Sequence, residues 1–306
     1  MALEARQSNE ARPEQATQDS LREKLLLEWT YHSNAIEGNT LTLRETKVVL
    51  EGITVGGKSL REHFEATNHR DAIVYVEDIV AKAEPLSEWQ IRNIHCLVLK
   101  GIDAEEAGRY RRENVVIAGA STAPPDFMHL PAEMAALIDW YEAAGDMHPV
   151  ERAAELHTRF MKIHPFIDGN GPTGRLLLNF ELMKAGYPPA IIRKEDRLAY
   201  YDALDKNMRE WRLRRHHATG CRICTTLARH VSRRARAASC TRTGYGSAVA
   251  GFSAVIKYEP VSEEYIRNEP VIERLDARTI GISNPSSRYR NGPSALPIPA
   301  LDECAA

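Results

Sequence analysis

The segment at residues 150–186 constrains the fold most, because two helical patterns there are separated by a short polar break. Residues 150–163 are spaced as an amphipathic helix with its apolar side chains on one stripe. Pro165 disfavours helical geometry at the preceding residue, so this helix should end at His164. A second helix should begin near residue 172. Two helices joined by a tight turn are therefore the first element of the predicted fold.

The turn between these helices has the sequence HPFIDGNG, at residues 164–171, and its residue types suit phosphate binding. Gly169 and Gly171 can adopt backbone angles that other residues avoid, and Asn170 also tolerates them. They lead into a helix N-terminus, whose free N–H groups and dipole attract anions. The turn therefore predicts a cradle for a phosphate group.

Three side chains near the turn carry chemistry that suits a nucleotide. Asp168 is a candidate ligand of Mg²⁺, which usually takes one or two carboxylates plus phosphate oxygens. His164 is a candidate general base at neutral pH, and Arg175 can reach a phosphate by a bidentate contact. Each residue alone has an ordinary explanation as a helix cap or part of a tight turn. Their combination in one short stretch predicts a phosphate site.

Most of the remaining chain up to about residue 215 is predicted to be helical. Thr42 and Glu45 have the spacing of a capping box. The exception is segment 112–127, RENVVIAGASTAPPDF, whose β-branched residues and small-residue turn predict a strand or short hairpin. The fold class is therefore mainly α with one small β element. Helical patterns cover about 21–36, 60–83, 87–99, 131–144 and 150–163.

Composition argues against several classes of protein. A formal net charge of −2 gives no reason to expect nucleic acid as a partner. No apolar run approaches the roughly 18 residues of a membrane span, and the N-terminus lacks the apolar core of a signal peptide. A cytoplasmic protein is the expectation.

Two segments near the C-terminus have ordinary explanations. The basic run at 227–240 is interpreted as a solvated helix face, and CRIC at 221–224 lacks the second ligand pair of a zinc finger.

The stretch HPFIDGNGPTGR at 164–175 resembles the signature of the Fic family, His-x-Phe-x-(Asp/Glu)-Gly-Asn-Gly-Arg-x-x-Arg. WTYHSNAIEGNTLT at 29–42 is similar to the family's inhibitory helix, and VVIAGASTAPP at 115–125 to its target-docking flap. AGYPPAIIRKEDRLAYYDAL at 185–204 resembles the segment that follows the motif. The resemblance covers roughly residues 20–215 and implies a helical Fic core with a small β-hairpin flap.

The resemblance implies transfer of AMP from ATP to a Ser, Thr or Tyr hydroxyl of a target protein. His164 would deprotonate that hydroxyl, and Asp168 would hold the Mg²⁺ that bridges the phosphates. The amides of Gly169, Asn170 and Gly171 would stabilise charge on the α-phosphate. Arg175 would bind the γ-phosphate.

The resemblance also implies contacts with the nucleoside and the target. Tyr200 and Tyr201 fall where the family places nucleoside contacts, although ordinary packing is the alternative for both. Ile117 lies where the flap closes over the base. The flap at 113–125 would pair with the main chain of the target protein as an added strand. Dimers are common among Fic relatives, so a homodimer is also open.

Glu37 matches the inhibitory glutamate of the family. The resemblance implies an ion pair between Glu37 and Arg175 that competes with the γ-phosphate and holds ATP in an unproductive pose. In some relatives the same glutamate positions a water that removes AMP, so the reverse reaction is also open. The alternative for Glu37 is a solvated residue at a helix end.

Pro172 departs from the family, which usually has its first arginine at this position. Proline cannot make the phosphate contact, and losing a charged hydrogen bond costs about 1–3 kcal/mol. Proline is tolerated at the first helical position, so the shape of the cradle should survive. Two alternatives follow: a Fic-fold protein that binds nucleotide or a partner without catalysis, and transfer of another phosphate-linked group. Gly171 argues against the kinase branch, which usually has lysine there.

These observations divide the chain into four regions. Residues 1–20 should be disordered, and 21–110 should contain the inhibitory helix and the N-terminal helices. Residues 111–215 should form the Fic core with its flap and motif. Residues 216–306 form a C-terminal extension whose structure the sequence does not specify.

Overall fold

A computed structural model describes the backbone of residues 2–210 and the side chains of residues 19–209. The sequence features at 221–224 and 227–240, and the predicted extension at 216–306, lie outside the described residues. Within that part the chain is helical, without strands. Its α-helices are α1 (Ala2–Glu37), α2 (Leu43–Leu50), α3 (Leu60–Ala81), α4 (Glu88–Leu99), α5 (Leu130–Ala143), α6 (Pro149–Ile163), α7 (Asn170–Lys184) and α8 (Arg197–Glu210).

Helix α7 is the centre of the core, because it packs against α6 and also against α3 and α4. Two of its buried polar side chains, Glu181 and Asn179, form hydrogen bonds inside the protein, as is usual for buried polar groups. Glu181 accepts from Arg152 Nε at 2.7 Å and from the Tyr141 hydroxyl at 2.6 Å. Asn179 bonds both the N–H and the C=O of Ala190. The helix that carries the motif is thus held on all sides.

The C-terminal end of α1 is tied to the first half of α3. Asn34 Nδ2 donates to the Glu65 carbonyl at 3.1 Å, and Asn39 Nδ2 donates to the Glu65 carboxylate at 2.8 Å. The predicted capping box of Thr42 and Glu45 is confirmed at the start of α2. These contacts fix the segment that carries Glu37 close to the motif.

The N-terminal prediction differs from the structure. Residues 2–20 were expected to be disordered, but they are part of α1, which runs from Ala2 to Glu37 as one helix. The physical reason is that extending an existing helix needs no new nucleus, and this segment is rich in Ala, Glu, Arg and Gln, which are good helix formers.

The predicted β-hairpin at 112–127 is not confirmed. The described chain there has no strand ladder, and it reverses in a turn in which Ala120 N donates to Ile117 O at 3.1 Å. The two ends of this flap are joined by side chains, since Asn114 Nδ2 donates to Asp126 Oδ2 at 2.9 Å. Its tip is attached to α8, where Ser121 donates to Asp205. Side-chain anchors thus replace the expected backbone pairing.

Candidate active site

The turn between α6 and α7 is built from two left-handed residues. His164 follows the last residue of α6 with φ 50° and ψ 59°, and Gly169 precedes α7 with φ 73°. The left-handed region is unfavourable for a residue with a side chain, so the surroundings must hold His164 in this conformation. The prediction that α6 ends at His164 is confirmed.

Asn170 closes the turn through its amide group. Its Nδ2 donates to the Phe166 carbonyl at 2.8 Å, and its Oδ1 accepts from the Phe166 N–H at 3.1 Å. His95 stacks flat on the Phe166 ring at 3.6 Å and lies 2.9 Å from the Asp168 carbonyl through Nε2. Because the Gly108 N–H donates to Nδ1 of His95, the imidazole is neutral and Nε2 is its donor. The turn is therefore a preorganised loop.

The first turn of α7 has the free amides that an anion cradle needs. The first helical hydrogen bond runs from Thr173 N to Gly169 O at 3.1 Å, so the amides of Asn170 and Gly171 precede the hydrogen-bonded ladder. Pro172 is the third residue of α7 rather than the first, because the helix begins at Asn170. Its missing N–H still falls in the first turn, where no helical acceptor exists, and α7 continues to Lys184.

Glu37 lies against the motif in the position predicted for it. Its carboxylate forms an ion pair with Arg175, with 2.8 Å between Oε1 and NH1. Arg175 is buried and also donates from Nε to the Ser33 hydroxyl at 3.0 Å. A Cβ added at Gly171 would come within 2.2 Å of Glu37 Oε1, so a side chain at position 171 would require this carboxylate to move from its present place. The predicted Glu37–Arg175 ion pair is confirmed.

His164 has the protonation behaviour of a base. Burial lowers its pKa from the ordinary 6.5, and the Arg111 charge adds to the effect. The backbone of Met161 and the charges of Glu37 and Asp168 act in the opposite direction without cancelling it. At neutral pH the imidazole is therefore neutral and can accept a proton.

Arg111 is a site residue that the sequence analysis missed. Its side chain is buried, with the residue 2% exposed, and its guanidinium bonds only main-chain carbonyls. Nε donates to the His164 carbonyl at 3.0 Å, NH1 donates to the Glu113 carbonyl at 2.8 Å, and NH2 donates to the Pro125 carbonyl at 2.5 Å. Arg111 thus links the motif histidine to both ends of the flap. No local pattern in the sequence marks this role.

Arg61 is a second residue that the sequence analysis missed. It belongs to the first turn of α3, and its NH2 donates to Asp168 Oδ2 while its Nε donates to Glu65 Oε1 at 2.9 Å. The other oxygen of Asp168 accepts from the Gly169 N–H at 2.7 Å. The capping box of Ser59 with Glu62 shows where α3 begins, but it gives no sign that Arg61 meets the motif.

A cavity of about 400 Å³ joins these groups. It lies between α1, α3 and the turn, and His164, Asp168, Gly171 and Pro172 all line it. The structure therefore brings six of the predicted site residues together in the wall of one cavity: Glu37, His164, Asp168, Gly169, Asn170 and Gly171.

The three residues predicted to contact the nucleoside, Tyr200, Tyr201 and Ile117, do not line this cavity. Tyr200 is 2% exposed, and its hydroxyl is 2.8 Å from His157 Nε2. Tyr201 is half-buried and donates to the Ile36 carbonyl at 3.3 Å. Ile117 is half-buried in the flap. Tyr200 packs in the core here, and a nucleoside role for the three residues stays a prediction.

Asp168 suits Mg²⁺ as a single protein ligand rather than as part of a closed metal site. Its side chain is 55% exposed at the cavity. Among the side chains of residues 19–209, no group of three or more His, Cys, Asp or Glu is arranged to hold a metal. Mg²⁺ commonly combines one carboxylate with phosphate oxygens and water. Asp168 therefore fits this ion as its one protein ligand, with phosphate oxygens and water as the others.

The fold and the site define a helical protein in which the turn between α6 and α7 lines a cavity with α1 and α3. A profile described as the Fic/DOC family matches residues 85–182, from just before α4 into α7. Among solved structures, a Fic domain containing signaling protein from Bacteroides thetaiotaomicron has a TM-score of 0.58 and 37% identity, covering 61% of this chain and 72% of that chain. Fic-1 from C. elegans has a TM-score of 0.65 and 32% identity, covering 76% and 67%. The chain therefore belongs to the Fic/DOC family.

Curated relatives agree with this assignment. A protein adenylyltransferase Fic from Nematostella vectensis is 43% identical over 180 residues, which cover 58% of this chain and 42% of that protein. A protein of the same name from Drosophila willistoni is 42% identical over 177 residues, covering 57% and 35%. The matches thus span less than half the length of these relatives. In the described part of this chain, no helix has the length and apolar character needed to cross a membrane.

Proposed function

We propose that this protein is a protein adenylyltransferase that Glu37 holds in an inhibited state. The observation that carries the proposal is the shared cavity, where His164 faces the N-terminal turn of α7. A neutral imidazole beside free amides suits attack of a hydroxyl on a phosphate. The names of the curated relatives support adenylyl transfer as the reaction.

In the proposed reaction, His164 takes the proton from a Ser, Thr or Tyr hydroxyl of the target. The hydroxyl oxygen then bonds to the α-phosphorus of ATP, and the bond from that phosphorus to the bridging oxygen breaks, which releases pyrophosphate. The amides of Asn170 and Gly171 donate to the α-phosphate oxygens as negative charge builds there. Mg²⁺ bound at Asp168 would neutralise phosphate charge.

The proposed inhibition follows from the position of Glu37. Its carboxylate occupies the Arg175 guanidinium and the space above Gly171, where phosphate oxygens would otherwise lie. A triphosphate must therefore displace a negative charge before Arg175 can bind it. The same carboxylate is placed to orient a water at a bound AMP group, which makes removal of AMP a related activity.

The flap supports a docking role for the target protein. The flap forms no strand pairing among the described residues, and Val116 is 91% exposed. A target segment could pair with the flap at 113–125 as an added strand, with its hydroxyl directed towards His164.

Labelling with α-³²P-ATP and Mg²⁺ tests the proposal. Glu37→Gly should label itself or added proteins far more strongly than the wild type, because the carboxylate no longer competes for Arg175. His164→Ala in the same background should lower labelling by about 100-fold or more. Glu23→Gly, the same change at an exposed position of α1, is the control and should behave as the wild type.

Pro172 favours one competing function, a nucleotide-binding protein without catalysis. That function predicts ATP binding by the Glu37→Gly variant in calorimetry but no labelling of any protein. Such a result would contradict the adenylyltransferase proposal. Parallel labelling with γ-³²P-ATP separates transfer of AMP from transfer of a phosphate.

A further inference from the structure

We propose that Arg61 supplies the phosphate-binding charge that the motif lacks at Pro172, so that α3 as well as α7 holds the triphosphate. The inference rests on the proposed binding of ATP and names a residue for it. In the state described here, the Arg61 guanidinium is bound to the carboxylates of Asp168 and Glu65.

The first observation is position. Arg61 lines the same cavity as Asp168, Gly171 and Pro172, and it contacts the residue that opens the cradle. The Arg61 side chain is 56% exposed, so it is free to change rotamer without disturbing the core. A guanidinium that reaches Asp168 is therefore within the space that the phosphates of a nucleotide would occupy.

The second observation is the charge of the cavity. Its described lining contains four carboxylates, those of Glu37, Glu62, Glu65 and Asp168. Arg61 is the single lysine or arginine in that lining, and Arg175 lies behind it in the ion pair with Glu37. Without Arg61 this cavity would repel a triphosphate, which carries several negative charges.

The third observation is the nature of the present contact. Exposed ion pairs between arginine and a carboxylate are weak, so Arg61 can leave Asp168 at little cost. Phosphate matches the planar donor pattern of arginine, and Asp168 becomes available to a divalent cation once Arg61 turns away. In the nucleotide complex, Arg61 thus binds the phosphates and the metal binds Asp168, so the two cations do not compete for one carboxylate.

Calorimetry with ATP and with AMP tests this in the full-length Glu37→Gly protein with Mg²⁺ present. Arg61→Gln should weaken ATP binding by roughly tenfold or more and leave AMP binding within about twofold, because only the outer phosphates lose a partner. Adding Pro172→Arg to Arg61→Gln should restore ATP binding. Arg22→Gln removes a comparable exposed ion pair, that of Arg22 with Glu77, and should change neither affinity.

Binding of Mn²⁺ without nucleotide, followed by electron paramagnetic resonance, gives a second measurement. Arg61→Gln should bind Mn²⁺ at least as tightly as its parent, because Asp168 has lost its cationic partner. Unchanged or tighter ATP binding in Arg61→Gln would overturn the inference. Arg61 would then only block Asp168 through their ion pair. Equal weakening of ATP and AMP would also overturn it. Absence of ATP binding by the Glu37→Gly parent itself would instead refute the proposed function, and the inference with it.

Discussion

At the scale of single residues, the pKa of His164 has a measurable consequence. A general base works only when unprotonated, so the rate should fall as the pH falls through its pKa. Burial lowers that pKa from 6.5, so the Glu37→Gly variant should keep its full labelling rate at pH 7 and lose half of it at a pH below 6.5. Initial labelling rates between pH 5 and 8 provide the measurement.

Circular dichroism at each pH is the control for this profile, because acid also destabilises the fold. A half-maximal rate at pH 7 or above, with the protein still folded, would show that another group limits the reaction. His164 would then not be the base in the form described here.

The residues of the motif could be predicted because they are neighbours in sequence. Gly169, Asn170 and Gly171 predict a turn, and a helix follows directly. The anion cradle could therefore be predicted without knowledge of any contact between distant residues. Arg111 and Arg61 could not be found this way. Their bonds to His164 and Asp168 join residues 53 and 107 positions apart, and the sequence contains no pattern for such pairs.

At the scale of elements, the flap and the motif are coupled through Arg111. Arg111→Met should lower the free energy of unfolding by about 3 kcal/mol, because it leaves buried carbonyls without their donor. It should also slow labelling in the Glu37→Gly background, since His164 loses the bond that supports its left-handed backbone. Urea unfolding and the labelling rate measure the two effects.

Arg112→Met is the matched control for this change. Arg112 is adjacent and exposed, and its partner is the half-buried carboxylate of Glu106. Its loss should cost less than about 1 kcal/mol. Equal effects of the two substitutions would show that Arg111 has no special role in joining the flap to the motif.

Helices with local signals were predicted well, and elements that depend on tertiary contacts were not. The patterns at 60–83, 87–99 and 131–144 agree with α3, α4 and α5 within two residues at each end. The flap at 112–127 has the composition of strands, yet its ends are held by Arg111 and Asn114, which composition does not reveal.

At the scale of the whole molecule, buried histidines set the response to acid. Burial lowers the pKa of His69 to about 3 and those of His95 and His157 to about 4. In the unfolded chain these groups take up protons near pH 6.5, so the folded state loses stability as the pH falls below that value. Each contributes a loss of about 1.4 kcal/mol per pH unit down to its folded pKa.

His69→Met isolates one of these contributions. Neither ring nitrogen of His69 has a hydrogen-bond partner among the described residues, and the ring packs edge-on against Trp29, so methionine can replace it. The free energy of unfolding should then decline less steeply between pH 6.5 and 5 than in the wild type. Parallel curves in urea unfolding would contradict the assignment of His69.

The overall architecture was predictable as far as the helical class and the central helix pair. The sequence could not show that α7 is buried on all sides, because polar residues such as Glu181 and Asn179 suggest an exposed face. Their hydrogen-bond partners lie on α5, on α6 and at Ala190, which the sequence does not link to α7. The core and the site therefore share one helix, and a substitution in α7 affects folding and chemistry together.

The close approach of Glu37 to Gly171 also limits which pairs of residues can occur together at positions 37 and 171. A side chain at position 171 would displace the Glu37 carboxylate from its place beside Arg175, although the two positions lie on different helices. The dependence therefore runs one way, since a larger residue at 171 requires the Glu37 carboxylate to move or a shorter residue at 37, whereas a shorter residue at 37 is compatible with Gly171. A library randomised at both positions should return paired solutions rather than independent ones, and the inhibitory contact would be inherited or lost as a unit.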